Sequence, residues 1–542
     1  MKTGKRYLIK LFLATLIAAI MLPCFFLALS VSDGKTARAE GVKLSYTIHS
    51  VDEFVAYSRA YAAGEKNSQD TLNISISSGD VISDERFISL GTSEHPFAGE
   101  IIISTTGKDT FNLYNCPLFD YVSTDAKITG SGVVKIIRQK ASTSPATGVK
   151  TNGALFANHV VAGTNPANWN VVLLPFIGVD ATETEEKAAT NFECVIGDIA
   201  DGASVAISFT NTTDLTVSRA GDSGLICGTL GEGANLSVAT PELTAALIDN
   251  LGLTDAGLSF NPLTVTATGS GKNAGGLVGT MKAGAAINFA SENYSRVENV
   301  VSENGYAGGI AGSAIDPIIS FGGEEAFVNA FYNDDPPVSP TISLGTGVVS
   351  YSFADGTEIN GKTGAGGLFG YYKTTADDET TFSAAKYGFP TATPMDISAT
   401  SNAGGVFGVL DSECPSLIFD GNKSGSKTLS FKLDDAANRG GVCGKYVASD
   451  LANVFSVHNL SITVNSGHTN TSSAGVIGCV ADDNAAYVKI YDVVSVSASA
   501  PSAGIIGKLG GAGSFADVEN ITVSGRFDAG IIGDMSAGVL RL

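Results

Sequence analysis

A short apolar phrase bounded by glycines returns along this chain, and it constrains the fold more than any other feature. Ala274-Gly275-Gly276-Leu277-Val278-Gly279 shows its full form. A fixed phrase at variable intervals predicts a repeat array in which each repeat adds one unit and loops of variable length project from it. Aligned on the last glycine, or on the residue that replaces it, the twelve copies fall at Asp120, Ala157, Gly197, Gly228, Gly279, Gly312, Gly370, Gly408, Gly444, Gly478, Gly507 and Gly533.

The residues on either side of the aligned position predict a strand with one buried face. Two residues before it, every copy has an aliphatic residue. Two residues after it, the copies are apolar apart from His159, with Ala314 as a small exception. This period of two runs through the glycine and is typical of a half-buried strand. The glycine shares the buried face, where we expect stacked backbones to approach too closely for a side chain.

The residue directly before the aligned position is also apolar in every copy, which strict alternation does not explain. One interpretation is an exposed apolar ladder that forms a binding face. The other, which we favour, is that the backbone bends at the flanking glycines or that a loop covers the ladder. The residues concerned are Phe119, Phe156, Ile196, Cys227, Val278, Ala311, Phe369, Phe407, Cys443, Ile477, Ile506 and Ile532.

Two further strands are predicted in each repeat. Downstream of the phrase, turns at Asp125-Ala126, Gly202-Ala203, Gly233-Ala234 and Gly284-Ala285 precede strands that open with Ile128, Val205, Leu236 and Ile287. Upstream of it, a third strand is predicted at Val297-Glu298-Asn299-Val300, Val457-His458-Asn459-Leu460 and Val518-Glu519-Asn520-Ile521. Asparagines at a repeated turn can stack and satisfy backbone groups, and a ligand role is the alternative.

The N-terminus carries a targeting signal followed by a helix. A basic start, an apolar run from Leu11 to Val31 and the small-residue site before Glu40 predict a signal peptide of residues 1–39, cleaved after Ala39. The alternative is an uncleaved anchor in which residues 8–31 span the membrane. Ser50 and Glu53 form a capping box, which predicts an amphipathic helix from Val51 to about Ala63 that covers the end of the core.

Composition limits the partners and the redox chemistry. The formal net charge of −21 argues against nucleic acid or an anionic membrane surface as a partner. Cysteines are scattered through the repeats rather than spaced as a disulfide framework, so we expect buried free thiols.

The phrase resembles a known repeat of bacterial surface proteins. Gly276-Leu277-Val278-Gly279 and Gly367-Leu368-Phe369-Gly370 resemble the GLUG motif, which occurs in adhesin-like chains and in regions attached to immunoglobulin-A-cleaving metallopeptidases. The segments 87–92 and 96–99 resemble the lead-in to such arrays. The resemblance covers most of residues 80–535 and implies a right-handed parallel β-helix on a cell surface, without implying a ligand. The first copies depart from the motif, because Asp120 and Ala157 replace glycine.

Residues for catalysis or metal binding are scarce. The chain has no H-E-x-x-H zinc motif, and its histidines lie far apart in sequence, at His49, His95, His159, His458 and His468. Adjacent Asp residues in a strand point to opposite faces, whereas glycoside hydrolysis needs two carboxyls roughly 5–9 Å apart across a cleft. We interpret the acidic pairs as exposed turns, with calcium binding between loops as a lesser alternative. These pairs are Asp334-Asp335, Asp377-Asp378, Asp434-Asp435 and Asp482-Asp483.

The two longest intervals between copies hold insertions. Thr240-Pro241-Glu242 opens a predicted helix that ends near Gly252, and the second insertion runs from Glu324 to Pro337. Because solenoids carry their variable surface on such excursions, we expect specificity in these loops.

The sequence therefore predicts an all-β chain, a right-handed parallel β-helix of about twelve coils with an N-terminal capping helix and a few insertions. It divides into a signal peptide (1–39), an N-terminal cap with the first strands (40–110) and a β-helix repeat domain (111–542). We expect a secreted or cell-surface, non-catalytic, adhesin-like protein or stalk that binds host or microbial glycans or proteins through projecting loops. No catalytic, cofactor-binding or metal-binding residue is assigned. One alternative is a polysaccharide lyase or glycoside hydrolase, to be tested at Asp334 and Asp482, and another is an N-terminal fragment of a larger surface protein.

Overall fold

The described strands pair in parallel, and the one α-helix among the described residues precedes most of them. In the computed structural model strands make up 56% of the described structure and form large parallel sheets, which confirms the all-β class. The structure describes residues 42–76, 86–103, 110–113, 116–130, 134–138, 153–169, 171–174, 193–208, 215–239, 263–289, 293–294, 297–321, 351–390, 392–421, 428–465, 472–480, 484–499, 503–525 and 529–542.

The predicted N-terminal helix forms at Val51–Ala62. The Ser50 hydroxyl accepts a hydrogen bond from the Glu53 backbone N–H (3.3 Å), and the Glu53 carboxylate accepts one from the His49 N–H (2.7 Å). These bonds satisfy N–H groups that the first turn leaves unpaired. Its buried face includes Tyr57, whose ring lies 5.2 Å from that of Tyr46 in the first strand, so the helix packs on the first strands. The neighbouring four-stranded sheet consists of Ser45–Ile48, Thr71–Ile74, Glu100–Ile103 and Lys127–Gly130.

All twelve copies of the phrase contribute a strand to one parallel sheet, the phrase sheet. The strands lie in chain order, each beside the strand of the next repeat. This confirms that the repeats stack one on another. The strands are Phe119–Ser123, Ala157–Val161, Ile196–Ile199, Cys227–Leu230, Val278–Met281, Ala311–Ile315, Phe369–Thr374, Phe407–Ser412, Cys443–Ala448, Ile477–Val480, Ile506–Leu509 and Ile532–Met535.

The predicted alignment is wrong by one residue in the second copy. Ala157 pairs with Phe119 and Ile196, so it occupies the position before the glycine rather than the glycine position itself. Asn158 is therefore the counterpart of Gly197. Val160, not His159, is the second residue after it, and Val160 is buried. The histidine that seemed an exception lies one position earlier, on the partly exposed side.

Strict alternation through the glycine is also wrong, and the reason is a local irregularity in the strand. Cys227 pairs with Val278 and Thr229 pairs with Thr280, whereas the glycines between them have no ladder partner. The residues before the glycine and two after it, such as Val278 and Met281, are consequently both buried. The apolar ladder is thus part of the core in the inner repeats, as the bent-backbone interpretation predicts.

A second set of very short strands, the corner sheet, packs directly on the phrase sheet. A Cβ added at Gly275 would lie 1.8 Å from the carbonyl oxygen of Val278, and one at Gly279 would lie 2.5 Å from the Ser223 nitrogen. The two sheets therefore meet backbone to backbone, which confirms that the glycines allow a close approach. The corner strands are Ser223–Gly224, Ala274–Gly275, Tyr306–Gly308, Gly364–Gly366, Asn402–Gly404, Asn438–Gly440 and Ser472–Ala474.

Strands downstream of the phrase follow turns, as predicted. Gly202, Gly233 and Gly284 adopt φ between 62° and 70° in these turns, a conformation that favours glycine. Ile128 belongs to the N-terminal four-stranded sheet, whereas Val205, Leu236 and Ile287 pair in one sheet, the downstream sheet. That sheet consists of Ala167–Trp169, Ser204–Ser208, Asn235–Ala239, Ala286–Phe289 and Ile318–Phe321.

The predicted upstream strands form a second twelve-stranded sheet, the upstream sheet. Its inward side chains, such as Val265, Val300 and Ile359, are fully buried. Its strands are Leu215–Arg219, Leu263–Ala267, Val297–Ser302, Glu358–Gly361, Thr380–Ser383, Met395–Ala399, Ser416–Asp420, Leu429–Asp434, Val454–Asn465, Tyr487–Ser499, Phe515–Gly525 and Val539–Arg541.

In the late repeats the downstream and upstream strands fuse into one long strand with a kink. Residues 454–465 pair with Ser416–Asp420 before the kink and with Leu429–Asp434 after it. The kinks lie at Asn459, Asp492 and Asn520, whose φ values lie between 49° and 56°. Asn and Asp tolerate this conformation better than other non-glycine residues. The Asn520 amide donates to the Asp492 carboxylate of the preceding repeat, whereas the stacking of asparagines on one another stays a prediction.

Two small parallel sheets complete the described strands. One consists of Thr110–Leu113, Val134–Arg138 and Val171–Leu174, and the other of Asn293–Tyr294, Tyr351–Ser352 and Tyr387–Gly388. A short 3₁₀ helix lies at Ala384–Lys386.

Candidate functional site

Several predicted features lie outside the described residues. These are the signal peptide with its 8–31 segment, the insertion helix at 240–252, the insertion loop at 324–337, His468, and the carboxylates of Asp334, Asp335, Asp482 and Asp483. Among the described residues, no helix is long and apolar enough to cross a membrane. The proposed catalytic alternatives at Asp334 and Asp482 stay predictions.

Two of the acidic pairs that the sequence interprets as exposed turns lie within the described part of the chain. Asp377 and Asp378 are exposed, and the backbone oxygen of Asp378 accepts a hydrogen bond from the Cys414 thiol at 2.9 Å. Asp434 forms an ion pair with Lys432 at 2.9 Å, and Asp435 adopts a left-handed turn conformation with φ 53°. These side chains belong to turns and strand ends.

The cysteines form no disulfide in the structure, and five of the six described are buried. Burial raises the pKa of the Cys194 thiol to about 12, so it stays protonated at neutral pH. The described residues contain no group of three metal-binding side chains. The buried thiols fill the core as small side chains, and that of Cys414 also donates to the Asp378 backbone oxygen.

A charged cluster near the N-terminal repeats joins a strand of the upstream sheet, a strand of the phrase sheet and the segment before the first corner strand. Arg219 binds both carboxylate oxygens of Asp198 at 3.0 Å, and it also donates to the backbone oxygens of Gly197 (3.0 Å) and Asp222 (3.2 Å). Partial burial acts to raise the pKa of Asp198, but the hydrogen bonds and charge of Arg219 hold it below its usual value. Arg219 thus joins the phrase-sheet strand of Gly197 and Asp198 to Asp222, directly before the first corner strand, so this cluster holds the fold at that edge.

The most distinctive outer surface lies on the late repeats, on the strands from residue 379 to 541. Along each strand apolar side chains point inward, as Val488 and Ile490 do, and the residues between them point outward. We call the outward side the aromatic face. Ser456 holds one of the outward register positions but is buried. The other residues at these positions are Glu379, Thr381, Ser383, Ser416, Ile418, Asp420, Val454, His458, Tyr487, Lys489, Tyr491, Phe515, Asp517, Glu519, Val539 and Arg541.

Aromatic rings of neighbouring strands contact each other on this face. The His458 and Tyr491 rings are parallel, with an interplanar angle of 1° and centroids 5.0 Å apart. Tyr487 and Phe515 meet edge to face at 5.4 Å. The Lys489 ammonium lies 5.2 Å from the centre of the Tyr487 ring. These contacts hold the rings in fixed positions on a rigid sheet.

Carboxylates surround the rings. The Tyr487 hydroxyl donates to Asp517 at 2.6 Å, and Arg541 donates to the same carboxylate through Nε, also at 2.6 Å. Burial acts to raise the pKa of Asp517, but the bonds from Arg541 and Tyr487 keep it below its usual value. Burial raises the pKa of Tyr491, and the charges of Asp492, Asp420 and Glu379 raise it further. Asp420 and Glu379 therefore lie close enough to Tyr491 for their charges to affect its pKa.

The lowered pKa of Asp517 suits this carboxylate to accept hydrogen bonds rather than to act as a general acid. A general acid in glycoside hydrolysis requires a carboxyl whose pKa is raised. Asp517 has a lowered pKa, as do Asp125, Asp198 and Asp201 elsewhere. Ionised carboxylates accept hydrogen bonds from hydroxyl groups, and the Lys489 ammonium donates them.

A second, smaller aromatic pair lies on the outer side of the phrase sheet. The Tyr306 and Tyr371 rings are 5.2 Å apart at an angle of 39°, and the Tyr371 hydroxyl donates to Asp411 at 2.8 Å. Gly364 follows Tyr306 in the corner sheet, and a Cβ there would lie 3.0 Å from the Tyr306 ring. The absence of a side chain at Gly364 leaves room for this ring.

Sequence reasoning missed the aromatic face, although part of its signal is present. Tyr487-Val488-Lys489-Ile490-Tyr491 alternates strictly, with tyrosine and lysine on one side and aliphatic residues on the other. From the sequence, His458 belongs to a predicted strand and is one of five widely spaced histidines. Its partner Tyr491 comes from the next repeat, and that register could not be read before the strands were aligned.

Comparisons of the chain with protein-family models, with curated proteins and with solved structures find no match. The resemblance of the phrase to GLUG repeats stays a prediction.

Proposed function

We propose that this chain is a non-catalytic, adhesin-like protein of the cell surface or the extracellular medium that binds a glycan on its aromatic face. In this proposal the parallel sheets close into a right-handed β-helix of about twelve coils, and residues 1–39 direct secretion. The stacked repeats supply a rigid support, and the late repeats supply the ligand-binding surface. The ligand-binding role predicted for the projecting loops stays a prediction.

The observation that carries the proposal is the fixed set of rings and charged groups on one exposed strand face. Rings such as Tyr491 offer apolar surface that can pack against the C–H groups of a sugar, while nearby carboxylates accept its hydroxyl protons. Rigid sites on strands cost little ordering entropy on binding.

The composition of the face favours a glycan over a protein partner. The core of a protein interface is depleted in charged residues. On the aromatic face, charged residues are instead distributed across the whole surface, between the rings. They are Glu379, Asp420, Lys489, Glu519 and the Asp517–Arg541 pair. Hydroxyl-rich ligands can satisfy such a mixture without leaving a buried charge unpaired.

A glycan array probed with the full chain tests the proposal. We expect selective binding that the substitution Tyr491→Ala weakens by at least tenfold, because the ring and its stacking partner His458 form the centre of the face. Tyr121→Ala is the matched control, since Tyr121 also stacks on a histidine, His159, at 4.4 Å but lies outside the face. It should leave binding unchanged.

Two results would count against the proposal. If no glycan on the array binds, or if Tyr121→Ala reduces binding as much as Tyr491→Ala does, the aromatic face is not the site. Cleavage of a bound polysaccharide by the purified protein would replace the non-catalytic assignment by that of a carbohydrate-active enzyme.

A further inference from the structure

The aromatic face is built as rows that run across the strands, parallel to the direction in which the repeats stack. Each row takes one residue from each successive strand, in the register that the strand pairs define. The central row ends at Thr381 on one side and at Arg541 on the other. Its members are Thr381, Ile418, Ser456, Lys489, Asp517 and Arg541, and the row beside it contains Ser383, Asp420, His458, Tyr491 and Glu519.

The rows are long compared with a single sugar. Six strands at about 4.8 Å spacing give the central row a length of about 24 Å. Polar side chains lie at both ends and near the middle of this length, at Thr381, Lys489 and Arg541, whereas Ile418 is apolar and Ser456 is buried. A ligand that used the whole row would be several sugar units long and would lie along the stack axis.

The charges of the face disfavour an anionic polymer. Asp517 and Arg541 neutralise each other in an ion pair. The remaining charged residues of the face are one basic residue, Lys489, and three acidic residues, Glu379, Asp420 and Glu519. The rest of the face therefore carries a net negative charge at neutral pH. The whole chain carries −21, which repels polyanions at long range. Carboxylates on such a surface find complementary donors in uncharged sugar hydroxyls.

We propose that the aromatic face binds an internal segment of a linear, uncharged polysaccharide, aligned with the direction in which the repeats stack. This inference rests on the proposed glycan-binding function and adds the class and the orientation of the ligand. Tyr491 and His458 lie near the middle of the segment, and Thr381 and Arg541 lie near its two ends. Because contacts accumulate along the rows, affinity rises with ligand length.

Calorimetric titration of the full chain with laminari-, manno- and xylo-oligosaccharides of one to six units tests the length dependence. We expect at least one series in which Kd falls at least tenfold between the dimer and the hexamer. Oligogalacturonate of the same length is the anionic counterpart, and it should bind at least tenfold more weakly at low salt. Equal affinity for monomer and hexamer would overturn the internal-segment proposal while leaving glycan binding intact. Absence of binding in every series, together with an empty glycan array, would overturn both proposals.

Substitutions at the two ends of the row test the orientation. Thr381→Glu and Arg541→Ala should each weaken binding of the hexamer at least fivefold and leave binding of the dimer nearly unchanged. Thr381 and Arg541 are both exposed, so the variants should fold. Asn360→Glu, at an exposed strand position outside the face, is the matched control and should alter neither affinity. If neither end variant affects the hexamer, the ligand does not lie along the rows.

Discussion

In the corner sheet a single added methyl group would meet backbone atoms, whereas on the aromatic face whole side chains change from one repeat to the next. A Cβ at Gly404 would lie 1.8 Å from the Phe407 oxygen. On the face, the register position of Ser456 is taken by Lys489 and then by Asp517 in the following repeats. Both regions belong to the same repeats, so the difference arises from what each position touches.

The comparison shows where information about function lies in a repeat chain. Positions that repeat without change are those at which neighbouring backbones meet, and they specify the stack. Positions that vary point to solvent, where a substitution costs little stability. Function is therefore expected at the positions that break the repeat, on a surface that the unchanging positions hold rigid.

Adding a side chain at a glycine beside the corner sheet should produce the largest loss of stability. A Cβ at Gly405 would lie 2.1 Å from the Gly441 oxygen and 2.4 Å from the Phe431 ring, so Gly405→Ala must displace backbone and core together. We expect a loss of about 3 kcal/mol or more, measured as a lower midpoint of urea unfolding.

The chain offers a matched control for this substitution. Gly530 occupies the same place in its own repeat, three residues before Gly533, and a Cβ there would meet nothing within 4 Å. Gly530→Ala should leave the midpoint nearly unchanged. Equal losses in the two variants would show that glycine is needed for its conformation rather than for the close approach of the two sheets.

The Asp198–Arg219 pair should produce an intermediate effect that depends on pH. The Arg219 guanidinium fills the space beside Gly228 at the edge of the corner sheet, because a Cβ added at Gly228 would collide with it. Asp198→Asn removes the carboxylate that binds this half-buried cation through two hydrogen bonds and leaves Glu193, 3.5 Å from the Arg219 Nε, as its ion-pair partner. We expect a loss of about 2 kcal/mol at pH 7. Asp201→Asn is the control, because Asp201 also binds a cation, Lys282, but lies exposed, and its loss should be small.

The sign of the pH dependence follows from the lowered pKa of Asp198. A carboxyl whose pKa is lower in the folded protein stabilises it above the unfolded pKa of about 4, and this contribution disappears as pH falls through the folded value. The difference in unfolding midpoint between the unsubstituted protein and Asp198→Asn should therefore shrink below about pH 4. A difference that stays constant down to pH 2 would contradict the role of the ion pair.

The sequence predicted the stacked repeats better than it predicted the outer surface, for a physical reason. The phrase is dictated by backbone contacts, so its residues are restricted in every copy and the twelve strands could be counted in advance. The single misalignment, at Ala157, occurred in a copy without glycine, where the apolar residue before the bend was mistaken for the bend itself.

The aromatic face could not be assembled from the sequence in the same way. His458 and Tyr491 stack because a kink at Asn459 and another at Asp492 keep the two long strands in register. The outward residues contact partners from neighbouring strands, so no pattern connects them before the register is known. The local alternation from Tyr487 to Tyr491 was visible, but its function depends on residues from other repeats.

The smallest effect on stability is expected where the largest effect on binding is proposed. The Tyr491 ring lies on the outer side of its strand against His458, so Tyr491→Ala should cost less than about 1 kcal/mol. Tyr446 is the buried counterpart, since its side chain is fully enclosed and its hydroxyl donates to the Asn453 oxygen at 3.2 Å. Tyr446→Ala should cost about 3–5 kcal/mol through the cavity and the lost hydrogen bond. Urea unfolding of both variants measures the contrast. If Tyr491→Ala were as destabilising as Tyr446→Ala, its loss of glycan binding would report unfolding of the late repeats, and the division between a stacking interior and a ligand-binding exterior would fail.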